Sequence, residues 1–202
     1  MLYEIVTLSL RVGGVPAALA GVKADSERGG DAQFLGCWTA EIGELNTLLL
    51  LRAYSDDGAM RAERLRLYGD VNPFGAGEAI LDMRCEAYAP FPWALAPQPG
   101  RYGAIYEFRT YTLKPGGLPA TIAGWEAAVP ARERFSRLLL PMYALDGAPR
   151  FTHIWPYASL EARAKARAEA VAAGIWPPRD GPLWLKEMRS TLAVPAAFSP
   201  LA

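Results

Sequence analysis

The chain has 202 residues, of which 51% are hydrophobic and 11% aromatic, enough to bury a sizeable core. Its 21 basic and 21 acidic residues balance, which argues against a nucleic-acid-binding stripe and against a polybasic membrane anchor. No apolar run approaches the roughly 18 residues of a membrane-spanning helix. Residues 2–6 read as a strand directly after Met1 and leave no room for a signal peptide. We therefore expect a cytoplasmic protein.

The sequence repeats itself at an offset of 103 residues. Residues 3–17 align with residues 106–120, and the same offset continues without a gap as far as Arg64 and Arg167. One offset that holds over about 60 residues indicates two copies of a single unit.

A proline-rich segment separates the two copies. Residues 89–100 contain four prolines and are predicted to form an extended linker without regular structure. The first repeat then spans residues 1–88 and the second spans residues 101–202.

Each repeat is predicted to contain strand, helix, two strands, helix and strand, in that order. The predicted elements are strands at 2–11, 33–41, 46–54, 78–87, 103–114, 139–145, 150–157 and 183–193, and helices at 15–28, 118–137, after Ser55, and from Ser159 to Gly174. This is the order of a ferredoxin-like βαββαβ unit, with two helices on one face of a four-stranded sheet. Because the other face needs cover, we expect an α+β fold in which the two units form a pseudo-dimeric barrel.

Two segments of the second repeat resemble motifs of the NIPSNAP family. Residues 106–116 read Tyr-Glu-Phe-Arg-Thr-Tyr-Thr-Leu-Lys-Pro-Gly, similar to the family's opening motif, and residues 153–157 read His-Ile-Trp-Pro-Tyr, similar to its His-x-Trp-x-Tyr strand. The resemblance covers nearly the whole chain as two tandem copies. It implies a dimeric α/β-barrel fold related to small monooxygenases and haem-handling proteins, and it implies no agreed reaction. The first repeat departs from the pattern, with Leu50 and Arg52 in place of His153 and Trp155.

Side-chain alternation along the strands groups the candidate site residues, because alternate positions face opposite sides of a sheet. Small apolar residues suit packing beneath helices, so the more polar and aromatic strand faces are expected to point into the barrel. The same reasoning places Tyr106 and Phe108 beneath the helices. The side chains predicted to face the barrel interior are Glu107, Arg109, Tyr111, His153, Trp155 and Tyr157 in the second repeat, and Arg52 and Tyr54 in the first.

These side chains form the candidate ligand-binding site. We expect a cavity beside the sheet of the second repeat, bounded by its helices or by the partner sheet, and lined by His153, Trp155, Tyr157 and Arg109. Arg109 would supply a cation for a carboxylate or phosphate of a ligand. The competing expectation is a filled barrel in which the rings pack against one another.

His153 is the single histidine of the chain. Three roles stay open for it: a hydrogen-bonded core residue, a contact in a ligand pocket, or a group that catalyses or ligates haem. Since no cysteine or carboxylate stands at ligand spacing from it, no metal site is predicted. No other cofactor is predicted.

Two arginines fall within apolar stripes of the second helix of each repeat. Arg64 and Arg167 occupy equivalent positions, and a buried guanidinium needs a partner. The equivalent glutamates Glu4 and Glu107 are the obvious carboxylates, and we include Arg167 in the candidate site. The alternative is an arginine whose stem covers the core while its head reaches water. Arg163 is predicted to lie on a solvated helix face.

Two functions follow from these observations. The first is a barrel protein of uncharacterised activity that binds a small aromatic or anionic molecule. The second, implied by the resemblance, is a cofactor-independent monooxygenase or a haem-handling enzyme of the same barrel superfamily. The residues leave open whether a reaction is catalysed and whether the chain forms a homo-oligomer.

Overall fold

The computed structural model describes residues 1–202, and both repeats have the predicted order of elements. The first repeat contains β1 (Leu2–Leu10), α1 (Val15–Glu27), β2 (Gln33–Ile42), β3 (Thr47–Tyr54), α2 (Asp57–Gly69) and β4 (Ile80–Pro90). The second contains β5 (Ile105–Leu113), α3 (Gly117–Arg132), β6 (Leu140–Ala144), β7 (Arg150–Tyr157), α4 (Leu160–Ala172), α5 (Gly181–Trp184) and β8 (Leu185–Pro195). The one-turn helix α5 was not predicted.

The eight strands close into an antiparallel barrel in the order β1-β3-β2-β8-β5-β7-β6-β4. Each repeat contributes a four-stranded sheet, and the two sheets join through the pairs β2–β8 and β4–β6. The predicted pseudo-dimeric α+β barrel is therefore confirmed. The strand registers repeat as well, since Glu4 lies opposite Arg52 and Glu107 lies opposite Trp155.

The helix caps lie where the sequence predicts them, except that the N-cap of α2 is one residue later. Ser159 caps α4 as predicted, and Gly174 follows that helix with a left-handed φ of 67°. For α2 the cap is Asp56 rather than the predicted Ser55, and its carboxylate accepts a backbone N–H of the first turn at 2.9 Å. A carboxylate at this place also complements the positive end of the helix.

The predicted linker is irregular over most of its length. Strand β4 continues to Pro90, so the first two residues of the segment 89–100 lie in a strand, contrary to our prediction. Residues 91–99 contain neither helix nor strand.

The barrel interior holds an apolar cluster built from both repeats, and its composition reverses the predicted strand faces. Tyr106 and Phe108 point into this cluster together with Tyr3, Ile5 and Trp38. The residues that we predicted inside the barrel lie instead between the sheets and the helices: Glu107, Arg109, Tyr111, His153, Trp155 and Tyr157 in the second repeat, and Arg52 and Tyr54 in the first. Both faces are mostly buried on the strands that carry these residues, β1, β3, β5 and β7, so hydrophobicity does not distinguish the faces. Bulky rings occupy one part of the lumen.

None of the helices combines the length and the apolar character that crossing a bilayer requires.

Candidate functional site

A cavity of about 70 Å³ lies between the sheet of the second repeat and helices α3 and α4. Its lining contains seven of the eight predicted site residues, namely Glu107, Arg109, Tyr111, His153, Trp155, Tyr157 and Arg167, together with Arg132, Val171 and Trp176. Strands β5 and β7 supply the first six of these, because alternate positions on adjacent strands face the same side. We refer to this space as the helix-side cavity.

Glu107 is the only carboxylate in this lining, and it is fully buried. Its Oε1 atom accepts hydrogen bonds from Arg163 (2.6 Å), Ser190 (2.7 Å), Arg109 (2.8 Å) and Arg167 (3.3 Å), whereas Oε2 has no partner. Burial alone would raise the pKa of Glu107, but the hydrogen bonds and charges of the arginines outweigh it and lower that pKa. The predicted pairing of Arg167 with Glu107 is confirmed. The prediction of a solvated Arg163 was wrong.

Arg132, in the last turn of α3, is buried with 2% of its surface exposed and forms no ion pair. It donates to the Ser136 hydroxyl at 2.7 Å and lies 4.8 Å and 5.8 Å from the ring centres of Trp155 and Trp176. Its Nε has no hydrogen-bond partner, and burial lowers its pKa. A buried guanidinium that lacks a carboxylate is costly, because water no longer solvates it.

His153 is buried in a defined tautomer. Its Nδ1 accepts the indole N–H of Trp155 at 2.6 Å. Because an indole only donates, Nδ1 carries no proton and the neutral ring is protonated at Nε2. Burial, and then the charges of Arg109 and Arg167, hold the pKa of His153 well below its usual value, so the ring is neutral. Its Nε2–H is therefore a hydrogen-bond donor, and it has no partner in the protein.

Aromatic rings surround His153 on most sides. The ring centres of Trp125 and Tyr111 lie 4.5 Å and 4.9 Å from the imidazole, and Phe151 stacks on it at 5.4 Å. The rings thus pack against one another, as our competing expectation stated, but outside the barrel and around a small polar opening.

The first repeat contains an equivalent glutamate with a different environment. Glu4 accepts hydrogen bonds from Arg52, Arg64 and Tyr54. Arg52 also donates to Glu63 at 3.0 Å. The predicted pairing of Arg64 with Glu4 is confirmed. Arg52, which we predicted in the same site as His153, belongs to this cluster and lines a separate cavity of about 350 Å³.

The two clusters differ in charge balance. Around Glu4, the carboxylates of Glu4, Glu63 and Asp25 face the guanidinium groups of Arg52, Arg64 and Arg66. Around Glu107, one carboxylate faces the four guanidinium groups of Arg109, Arg132, Arg163 and Arg167. The second cluster therefore carries an excess of positive charge beneath its helices.

Sequence reasoning missed Arg132 and Arg163, although both carried a signal. Thr121, Trp125, Val129 and Arg132 are spaced four, four and three residues apart, which places them on one face of α3. Arg163 precedes Arg167 by four residues and so shares its face of α4.

The fold and this charge pattern define a two-repeat α+β barrel protein whose halves differ in their helix-side chemistry. The NIPSNAP family profile matches residues 3–95 and again residues 106–200. The chain belongs to the NIPSNAP family and contains two copies of its domain.

Curated relatives support this assignment, and the alignments cover most of each relative's length. Protein NipSnap homolog of Dictyostelium discoideum is 25% identical over 179 residues, covering 86% of this chain and 77% of the relative. Human Protein NipSnap homolog 3B is 24% identical over 215 residues, covering 98% of this chain and 85% of the relative.

Solved structures share the barrel at much lower identity. An anthrone oxidase-like protein superposes with a TM-score of 0.69 at 9% identity, covering 96% of this chain and 91% of that one. A candidate monooxygenase from Lactobacillus acidophilus NCFM gives a TM-score of 0.67 at 11% identity, covering 96% and 93%. At these identities the likeness shows the fold alone.

Proposed function

We propose that the protein binds a small anionic molecule through a carboxylate or phosphate group in the helix-side cavity of the second repeat. The observation that carries this proposal is that three guanidinium groups and a single carboxylate line a buried opening, and a fourth arginine, Arg163, also binds that carboxylate. A bound anion would supply the partner that Arg132 lacks, and guanidinium groups recognise carboxylates and phosphates through paired hydrogen bonds.

The size of the cavity favours an anionic group over an aromatic ring. A water molecule occupies roughly 30 Å³ in the liquid, so 70 Å³ corresponds to about two waters. Typical pockets for whole ligands measure roughly 300–1,000 Å³. The side chain of Arg167 is 41% exposed at the rim, and this gives the remainder of a ligand a route to solvent.

His153 contributes a neutral donor to this site. Its Nε2–H and the arginines together form a set of donors suited to oxygen atoms that carry negative charge. Haem does not fit these residues, because axial ligation requires a lone pair on Nε2, the nitrogen that holds the proton, and because the cavity is too small for a porphyrin.

The oxygenase alternative is less well supported by the site. An oxygenase without a cofactor needs a group that removes a proton from its substrate. The protonated Nε2 of His153 cannot accept one, and the lowered pKa of Glu107 makes that carboxylate a weak base. Oxygen consumption with an anthrone substrate would revive this alternative.

The test measures thermal unfolding with acetate or inorganic phosphate, each compared with chloride at equal ionic strength. We expect either anion to raise the unfolding temperature, because a ligand at 100 times its Kd stabilises the folded state by about 2.7 kcal/mol. Arg167→Met should abolish most of the shift. Arg64→Met, the matched substitution in the first repeat, should retain it. Equal shifts in both variants, or no shift beyond chloride, would overturn the proposal.

A further inference from the structure

The interior of the barrel changes character along its axis. Tyr3 and Ile5 on β1, and Tyr106 and Phe108 on β5, belong to the apolar cluster. The next inward position on β1 is Thr7, and threonines also occupy the next inward positions of β5. Around these residues lies a cavity of about 450 Å³, which we call the lumen cavity.

Hydroxyl groups dominate the lining of the lumen cavity. Six threonines contribute to it: Thr7, Thr47, Thr110, Thr112, Thr152 and Thr191. Thr152 bonds to the hydroxyls of Thr110 (2.7 Å) and Tyr88 (3.2 Å). Thr7 also lines the cavity, with only 5% of the residue exposed. Because a hydroxyl both donates and accepts, this lining suits a partner that can do the same.

The charged groups at this cavity are balanced. Three arginines and three glutamates line it: Arg84, Arg150, Arg189, Glu44, Glu86 and Glu187. Most of them already pair with one another, since Glu86 accepts from Arg84 at 3.2 Å and from Arg150 at 2.9 Å, and Arg189 donates to Glu187 at 2.9 Å. Unlike the helix-side cavity, the lumen cavity has no excess of either charge.

Both repeats build this lining in the same way. Thr7 lies opposite Arg84 across β1 and β4, and Thr110 lies opposite Arg189 across β5 and β8. The polar lining is thus present in each half, whereas the helix-side clusters differ between the halves.

We infer that the lumen cavity binds a neutral polyhydroxylated molecule, of the class of monosaccharides and cyclic polyols. Its volume falls within the roughly 300–1,000 Å³ of typical ligand pockets, and eight-stranded barrels are wide enough to hold one small ligand. Such a molecule would find three matching features in the lining. They are hydroxyls that donate and accept, paired charges with spare hydrogen-bonding capacity, and the apolar ring of Phe108.

The test titrates ¹⁵N-labelled protein with myo-inositol and with D-glucose in the millimolar range and follows amide chemical shifts. We expect shifts with at least one of the two, at Thr7, Thr110 and Thr152 and not at His153. Thr7→Val keeps the side-chain volume and removes only the hydroxyl that faces the cavity, so the protein should fold normally and bind about tenfold more weakly. Thr39→Val, on β2 and outside the cavity, should bind as the wild type does.

Three outcomes would overturn this inference: no shifts with either compound, unchanged affinity in Thr7→Val, or equal shifts at the same amides with acetate. The anion test in the second repeat is independent, because its variants and its cavity share no residue with this one.

Discussion

Glu4 and Glu107 occupy the same place in the two repeats, but the residue across the neighbouring strand is Arg52 in one and Trp155 in the other. The first glutamate belongs to a cluster in which carboxylates and guanidinium groups are equal in number. The second pairs with three arginines and shares its cavity with Arg132, which has no carboxylate partner. Since the first repeat folds with balanced charges, the fold itself does not require the excess in the second. The excess therefore points to function.

The largest expected effect comes from removing each glutamate's charge. Glu107→Gln takes the carboxylate from Arg109, Arg163 and Arg167, so we expect a loss of about 3–5 kcal/mol in the free energy of unfolding. Glu4→Gln should cost about 1–3 kcal/mol, because Arg52 retains Glu63. Urea unfolding of the two variants measures the difference.

Added phosphate sharpens this comparison. It should restore part of the lost stability in Glu107→Gln and none in Glu4→Gln, since only the second repeat has guanidinium groups in excess. Equal losses with equal recovery would show that the two clusters are equivalent after all.

The next effect concerns the dependence of stability on pH. It is expected from the position that holds His153 in the second repeat and Leu50 in the first. His153 has a lowered pKa in the folded state, so below about pH 6.5 only the unfolded chain takes up its proton and stability falls. Between about pH 7.5 and 5.5 the wild type should lose about 1.4 kcal/mol more than His153→Leu, which copies the first repeat. Urea unfolding at both pH values provides the measurement, and identical pH dependence would contradict a buried neutral histidine.

The smallest effect on stability is expected for Arg132. Arg132→Met removes a buried charge that has no carboxylate partner, so the free energy of unfolding should change by less than about 1 kcal/mol while phosphate binding weakens. Arg52→Met, which strips Glu4 of its main partner, should cost several times more. A strong destabilisation by Arg132→Met would indicate a structural role for this arginine.

The repeat was the most informative feature of the sequence. The offset predicted two copies of one unit and made Glu4 and Glu107 equivalent candidate partners for Arg64 and Arg167, because equivalent sequence positions take equivalent places in a duplicated fold. It also placed His153, Trp155 and Tyr157 on one face together with Arg109.

The direction of that face could not be read from the sequence. Alternation shows which residues share a face. It shows which face points into the core only when the other face is polar and exposed to water. On β5 both faces are buried, and Tyr106 points into the lumen while Glu107 lies beneath helices. The excess of arginines could not be predicted from the sequence either. Arg132 lies on α3, and only the folded structure brings it to the cavity that Glu107 lines.

The barrel has no open sheet edge, since the strands that end each repeat's sheet pair with those of the other repeat in the same chain. The segment between Pro90 and Ile105 holds each half at a high effective concentration for the other, so closure of the barrel should not depend on dilution. In a barrel built from two identical chains, every mutation would be present in both halves. In this chain one half can change its chemistry while the other keeps the scaffold intact.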